Sequence, residues 1–260
     1  MRRHKGMRRR RWQELRERRA QGIFLLPSLL TTGNLFCGFF ALVLAADQRY
    51  TEAALAIFVA MIMDMLDGRV ARLIKATSQF GVEFDSLADI VSFCVAPAFL
   101  IYSFALAEMP RPAWFGCALF VICGGLRLAR FNVQTGSVDR RFFVGLPTPA
   151  GAGVLASTVV LLHNAELSRW TLTAIAVATY VVALLMVSTF RYWSFKQLDV
   201  GARPLQTVLV VVLGLMIIFT NPELFPFLLF VGYAVSGPVR RLVVGRTVAP
   251  AETPVTPKDH

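Results

Sequence analysis

The stretch Asp64-Met65-Leu66-Asp67-Gly68-Arg69-Val70-Ala71-Arg72, followed after eight residues by Gly81 and then by Asp85 and Asp89, decides how the rest of the chain is read. Side chains three or four apart share one face of a helix. Asp64, Asp67, Gly68, Ala71 and Arg72 therefore form one stripe, and Asp85 and Asp89 a stripe on a second helix. Small residues stand between the charges, where a ligand can approach the backbone. A site is built this way; a core is not.

The flanks are apolar, from Ala53 to Leu66 on one side and Ile90 to Ala107 on the other. Both helices are therefore expected inside a membrane. An ionised Asp in a bilayer costs a few kcal/mol or more, so such residues face polar cavities and serve function. Converging carboxylates repel unless something positive lies between them. Hard divalent cations take carboxylate oxygens, and Mg²⁺ commonly holds phosphate oxygens as well. Two metals about 4 Å apart can clamp a phosphoryl group during displacement. The plainer alternative is a pair of buried ion bridges, with Arg69 and Arg72 neutralising two aspartates. That leaves two carboxylates and the Gly/Ala placement without a reason.

Composition agrees with a membrane protein. The chain has 260 residues, 56% of them hydrophobic, and a mean hydropathy of +0.59, too apolar for an ordinary soluble domain. The net charge is +11. Ten Arg and Lys fall in residues 1–22, immediately before the first apolar run. Such an arm suits anionic lipid better than nucleic acid, as a basic amphipathic segment at the membrane surface. The run Leu29 to Ala46 is too long for a signal-peptide core and is read as a retained span. Cys37, Cys94, Cys117 and Cys123 lie in apolar segments without zinc-ligand spacing.

The fold expected is all-α, an integral membrane protein of about eight transmembrane helices. The candidate spans are 28–46, 52–75, 84–107, 112–131, 148–164, 169–189, 205–220 and 223–239. Residues 1–26 form the basic arm, 27–240 the membrane domain, and 241–260 a charged, proline-bearing tail expected to be disordered. With both termini cytoplasmic, the inside segments collect the arm, Lys75, Arg127, Arg130, Arg140, Arg141, Arg191, Lys196, Arg203, Arg240, Arg241 and Arg246. The outside turns keep Arg49, Arg111 and Arg169. The carboxylates then open toward the cytoplasm.

Two further segments bring polar groups to the same end. Ser28, Thr31, Thr32 and Asn34 recur at helical spacing in the first span. They cap and back-bond the helix, or they hydrogen-bond a nucleotide base and ribose. Arg127 and Arg130, three apart at the end of the fourth span, either anchor that span by snorkelling or cradle an anion. Gly145, Pro147 and Pro149 can shape a loop beside a cavity.

The pattern D-x2-D-G-x2-A-R-x8-G-x3-D-x3-D resembles the signature of the CDP-alcohol phosphatidyltransferase family, with every fixed position matched from Asp64 to Asp89. The segments L-P-x-L-L-T-x-G-N-L-x-C-G-F, G-L-R-L-A-R-F-N-V and G-L-P-x-P-A are similar to its phosphatidylserine synthase branch. The likeness runs from about Leu26 to Ala152, with Ser28 standing where such sequences commonly carry Asn.

The resemblance implies a six-helix catalytic core with two added C-terminal spans, in a homodimer within a prokaryotic-type cytoplasmic (inner) membrane. It implies transfer of a phosphatidyl group from CDP-diacylglycerol to L-serine with release of CMP. Carried over residue by residue, Asp64, Asp67, Asp85 and Asp89 hold divalent metal, Mg²⁺ or Mn²⁺, two per site, and Asp89 is also the general base. Ser28, Thr31, Gly68, Ala71, Arg72, Ser78 and Gly81 would then line the CDP-diacylglycerol site. Arg127, Arg130 and Asn132 are the candidates for serine. The same arginines could hold the phosphate of glycerol 3-phosphate or inositol phosphate. A cation or solute transporter is the reading from another class. It is opposed by the clustering of charge at one end and by the absence of a second copy of the Asp pattern.

Overall fold

The computed structural model describes residues 27–73, 79–107, 109, 112–134, 142–193 and 220–244, the side chains of 71–73, 112, 134, 142, 143 and 244 excepted. The basic arm, the 205–220 span other than Thr220, and the tail beyond 244 lie outside the described residues.

Seven long helices make up nearly all of the described chain. They are α1 (Pro27–Ala46), α2 (Tyr50–Leu73), α3 (Gln79–Leu106), α4 (Pro112–Gln134), α5 (Thr148–Leu162), α6 (Arg169–Val187) and α7 (Leu224–Val244). Between them lie two three-residue strands, β1 (Phe142–Val144) and β2 (Arg191–Trp193).

Helices α1, α3, α4 and α6 are long and apolar enough to cross a membrane, and α5 is apolar but shorter. α2 has the length but carries the aspartates, and α7 ends on a turn with Arg241. Large apolar side chains point outward, as in Phe36, Phe39, Phe40 and Val43 of α1. In water this would be a liability; in lipid it is the solvated face. The bounds follow the apolar runs to within a few residues. α3 begins five residues before the run expected at 84, and α7 continues past 240 to Val244.

Lipid gives helices no hydrophobic reason to associate, so close packing of small residues must hold them together. The buried positions answer to this: Ala53, Ala54, Ala60, Ala96, Ala98, Ala152 and Ala156 all lie in the interior. A Cβ on Gly38 of α1 would meet Ser92 Oγ of α3 at 2.2 Å, so these helices touch backbone to side chain. Phe58 of α2 stacks on Phe230 of α7 at 6.0 Å. α4 packs along α6, and α5 lies between α2 and α7.

α3 is not regular. It widens to a π-helix at Val91–Val95 and again at Tyr102–Leu106. The Ala96 N–H bonds back to Val91 O, a five-residue step. Pro97 follows and offers no N–H, so the wide turn takes up the register that a proline inside a helix disturbs. This irregular turn begins two residues after Asp89.

No strand was expected in this all-α reading, yet β1 pairs antiparallel with β2, Phe143 opposite Tyr192. Gly145 ends β1 at φ +81°, and any Cβ there would lie 2.2 Å from Met186 O. Only glycine fits. Its N–H bonds Phe190 O at 2.8 Å, and the Leu146 N–H bonds Leu185 O at 3.0 Å. The chain from β1 into α5 is thereby laid against the end of α6.

Candidate active site

The motif aspartates come together. α2 brings Asp64 and Asp67 to one face, and α3 brings Asp85. One carboxylate oxygen from each lies within 4.8 Å of the others, with Asp67 buried and the other two half-buried. Asp89, one turn further along α3, is within electrostatic range of Asp64, Asp85 and Asp67.

α1 supplies hydrogen bonds to this group. Thr31 Oγ1 donates to Asp67 Oδ2 at 3.1 Å while also lying 3.1 Å from Pro27 O. The Gly68 N–H bonds the Asp67 carboxylate as well. One turn past Thr31, Asn34 Nδ2 donates to Asp89 Oδ1 at 3.3 Å. Asn34 is fully buried, and its backbone carbonyl oxygen accepts from Ser92 Oγ at 2.9 Å. The sequence places Asn34 in the α1 polar stripe, as a helix-capping group or a base and ribose contact rather than a partner of Asp89, and Ser92 is not among the sequence candidates. The spacing held the signal: Asn34 is three residues from Thr31, and Ser92 three from Asp89.

The remaining nucleotide-site candidates divide. Ser28 is half-buried in the first turn of α1, and its carbonyl accepts from Thr32 Oγ1 at 2.7 Å. Gly68 and Gly81 are half-buried near the carboxylates. Ala71 and Arg72 are in the last turn of α2 with side chains outside the description, and Ser78 lies outside the described residues.

The two arginines of α4 have different surroundings. Arg127 is buried at 7% exposure, with Nη1 3.5 Å from Thr148 Oγ1 and Nε without a hydrogen-bond partner among the described residues. Asp89, Cys94 and Tyr233 all lie within its electrostatic range. Arg130 is spent on backbone: Nη2 reaches Val144 O at 2.9 Å and Met186 O at 3.5 Å, and Nη1 reaches Val187 O at 3.3 Å. Asn132 Nδ2 donates to Ser86 Oγ at 2.9 Å. It thus braces α4 against the α3 turn between Asp85 and Asp89.

The donor set fits a hard divalent cation: three carboxylate oxygens, clustered and shielded, with no sulfur or imidazole among them. The CDP-alcohol phosphatidyltransferase family model matches residues 24–182, which takes in every one of these side chains. The chain belongs to the CDP-alcohol phosphatidyltransferase family.

Its relatives within that family are informative. A CDP-diacylglycerol--serine O-phosphatidyltransferase of Helicobacter pylori is 38% identical over 202 residues, covering 77% of this chain and 84% of the relative. One of Bacillus subtilis is 35% identical over 172 residues, 66% of this chain and 92% of the relative. An archaetidylserine synthase of Methanothermobacter thermautotrophicus is 36% identical over 180 residues, 68% of this chain and 73% of the relative. As a member of this family the chain is a phospholipid-synthesis transferase in a membrane, and β2 and α7 lie beyond the matched segment.

Proposed function

We propose that this chain transfers the phosphatidyl group of CDP-diacylglycerol to the hydroxyl of L-serine and releases CMP. The observation that carries the reading is the convergence of Asp64, Asp67 and Asp85 beside Asp89, with buried Arg127 in electrostatic range of Asp89. The names of the relatives support serine as the acceptor.

Asp64, Asp67 and Asp85, with Asp89 beside them, would hold Mg²⁺ or Mn²⁺, two ions in the fuller reading, and the bound metal supplies positive charge against a pyrophosphate. Asp89 takes the proton from the serine hydroxyl. The hydroxyl oxygen forms its bond to the phosphorus that carries diacylglycerol as the bond from that phosphorus to CMP breaks. No covalent enzyme intermediate is required. The acyl chains stay in lipid while the head group enters between α1, α2 and α3. Gly68 and Gly81 leave room for the diphosphate, with Ser28, Ala71, Arg72 and Ser78 along the nucleotide.

Acceptor choice follows from the arginines. Arg130 is committed to three carbonyl oxygens, which leaves Arg127 to meet the acceptor's anionic group. One guanidinium matches the single charge of an amino-acid carboxylate better than a doubly charged phosphate monoester. This favours serine over glycerol 3-phosphate or inositol phosphate.

The architecture we favour has eight spans, both termini cytoplasmic, in a prokaryotic inner membrane. The 1–26 arm and the tail after 240 flank the membrane domain, which works as a homodimer. The deciding experiment measures CMP release from CDP-diacylglycerol by purified protein with Mg²⁺ or Mn²⁺. Release should require serine. Equal release with glycerol 3-phosphate in its place would sink the serine assignment.

A further inference from the structure

Asn34 is one of the buried polar side chains that leave an atom without a hydrogen-bond partner among the described residues. It is fully buried on α1, and its Oδ1 has no hydrogen-bond partner among the described residues. A buried amide oxygen left so costs about 1–3 kcal/mol, and an apolar residue of similar size would avoid that cost. Such exceptions in a native interior call for a reason. The other end of the amide gives one: Nδ2 donates to Asp89 Oδ1 at 3.3 Å.

The amide has little freedom to do anything else. Turned over, it would set its own oxygen against a carboxylate oxygen, so the donor is fixed toward Asp89. The backbone beneath it is held too. Ser92 Oγ donates to Asn34 O at 2.9 Å, and Gly38 lets α1 close on Ser92. Ser92 belongs to the π-helical turn that begins just after Asp89. Base, brace and irregular turn thus form one connected unit across α1 and α3.

We propose that Asn34 is a positioning residue for the transfer step: its amide holds the Asp89 carboxylate by Oδ1 and leaves Oδ2 to receive the proton of the acceptor hydroxyl. Groups that orient a reacting carboxylate from behind are worth about 10- to 100-fold in activity when lost. The proposal rests on the reading of Asp89 as general base.

The test uses the full-length chain in phospholipid nanodiscs with CDP-diacylglycerol, serine and Mg²⁺. Asn34→Ala removes the amide, and Asn34→Leu keeps the branched outline, at larger volume, without a donor. Both should lower kcat about 10- to 100-fold, with KM for CDP-diacylglycerol and serine within about twofold of wild type. Thermal stabilisation by CDP-diacylglycerol reports that each variant folds and binds. Wild-type kcat in either variant overturns the proposal, as does a loss that higher Mg²⁺ restores, since the amide would then act on metal binding. Wild-type protein that releases no CMP with serine overturns the parent reading instead. An active wild type beside unaffected variants sinks only the role of Asn34.

Discussion

Arg130 Nη2 donates to the Val144 carbonyl at 2.9 Å, and with that contact α4 grips the end of β1. The same guanidinium reaches the last carbonyls of α6, at Met186 and Val187. Those carbonyls have no partner within their own helix, and a cation at a helix C-terminus also meets the negative end of its dipole. Three elements, α4, β1 and α6, are therefore joined by one side chain.

Replacing Arg130 should behave as a structural change. In Arg130→Ala the carbonyls lose their donor, each at about 1–3 kcal/mol if left buried and unpaired. Arg130→Lys should recover little, because an ammonium cannot fork between separate oxygens. Melting in detergent should show a lower transition for both, with kcat falling in parallel and no selective rise in KM for serine. A large serine-specific KM effect at unchanged stability would instead place Arg130 on the acceptor.

Arg127 should answer in the opposite way. Its guanidinium is buried with Nε free of a hydrogen-bond partner among the described residues, so under the proposed serine role Arg127→Ala removes a contact to the serine carboxylate while the CDP-diacylglycerol side stays intact. A hydrogen bond to a charged group contributes about 1.5–3 kcal/mol, which raises KM for serine roughly 10- to 100-fold. KM for CDP-diacylglycerol should hardly move. Titration of each substrate against the other at saturation separates the two.

How much of this was legible beforehand depended on period. The aspartates repeat at three and four, and a helical stripe is all that is needed to bring Asp64 and Asp67 to one face and Asp85 to the facing one. Apolar runs between charges likewise set α1 to α7 within a few residues. What could not be read was which partner each polar group would find. Arg127 and Arg130 are the same residue type one turn apart, yet one faces the site and the other faces backbone carbonyls. That choice depends on where β1 and the end of α6 arrive, and both are distant in sequence. The strands themselves span three residues each, too short to show alternation. Asn34 was visible as part of the α1 stripe, but its contact with Asp89 crosses from α1 to α3.

Helix contact through Gly38 makes a further prediction. In Gly38→Ala the new methyl would lie 2.2 Å from Ser92 Oγ and 2.7 Å from Ser92 Cα, and backbone cannot swing aside. Forcing α1 off α3 should cost about 1–3 kcal/mol. It should reduce turnover too, because the Ser92–Asn34 contact moves with it. Gly125 is the control, since a Cβ there meets nothing within 4 Å. Gly125→Ala, inside α4, should leave activity unchanged and stabilise the helix by about 0.5–1 kcal/mol.

Thr31 offers the sharpest separation between a nucleotide contact and a metal-site contact. Its hydroxyl donates to Asp67 Oδ2 at 3.1 Å, so its first duty in this geometry is to orient a carboxylate of the acidic cluster. Thr31→Val keeps the branched shape and removes that donor. If Thr31 serves Asp67, the Mg²⁺ or Mn²⁺ concentration needed for half-maximal rate should rise, by about 10- to 100-fold on the precedent of such supporting groups. Saturating metal should then restore kcat, and KM for CDP-diacylglycerol should stay near wild type. Chelation should abolish turnover in both proteins, the variant at the lower chelator concentration. A variant with normal metal requirement but a raised KM for CDP-diacylglycerol would return Thr31 to the nucleotide, and Asp67 would then have to be held by Gly68 alone.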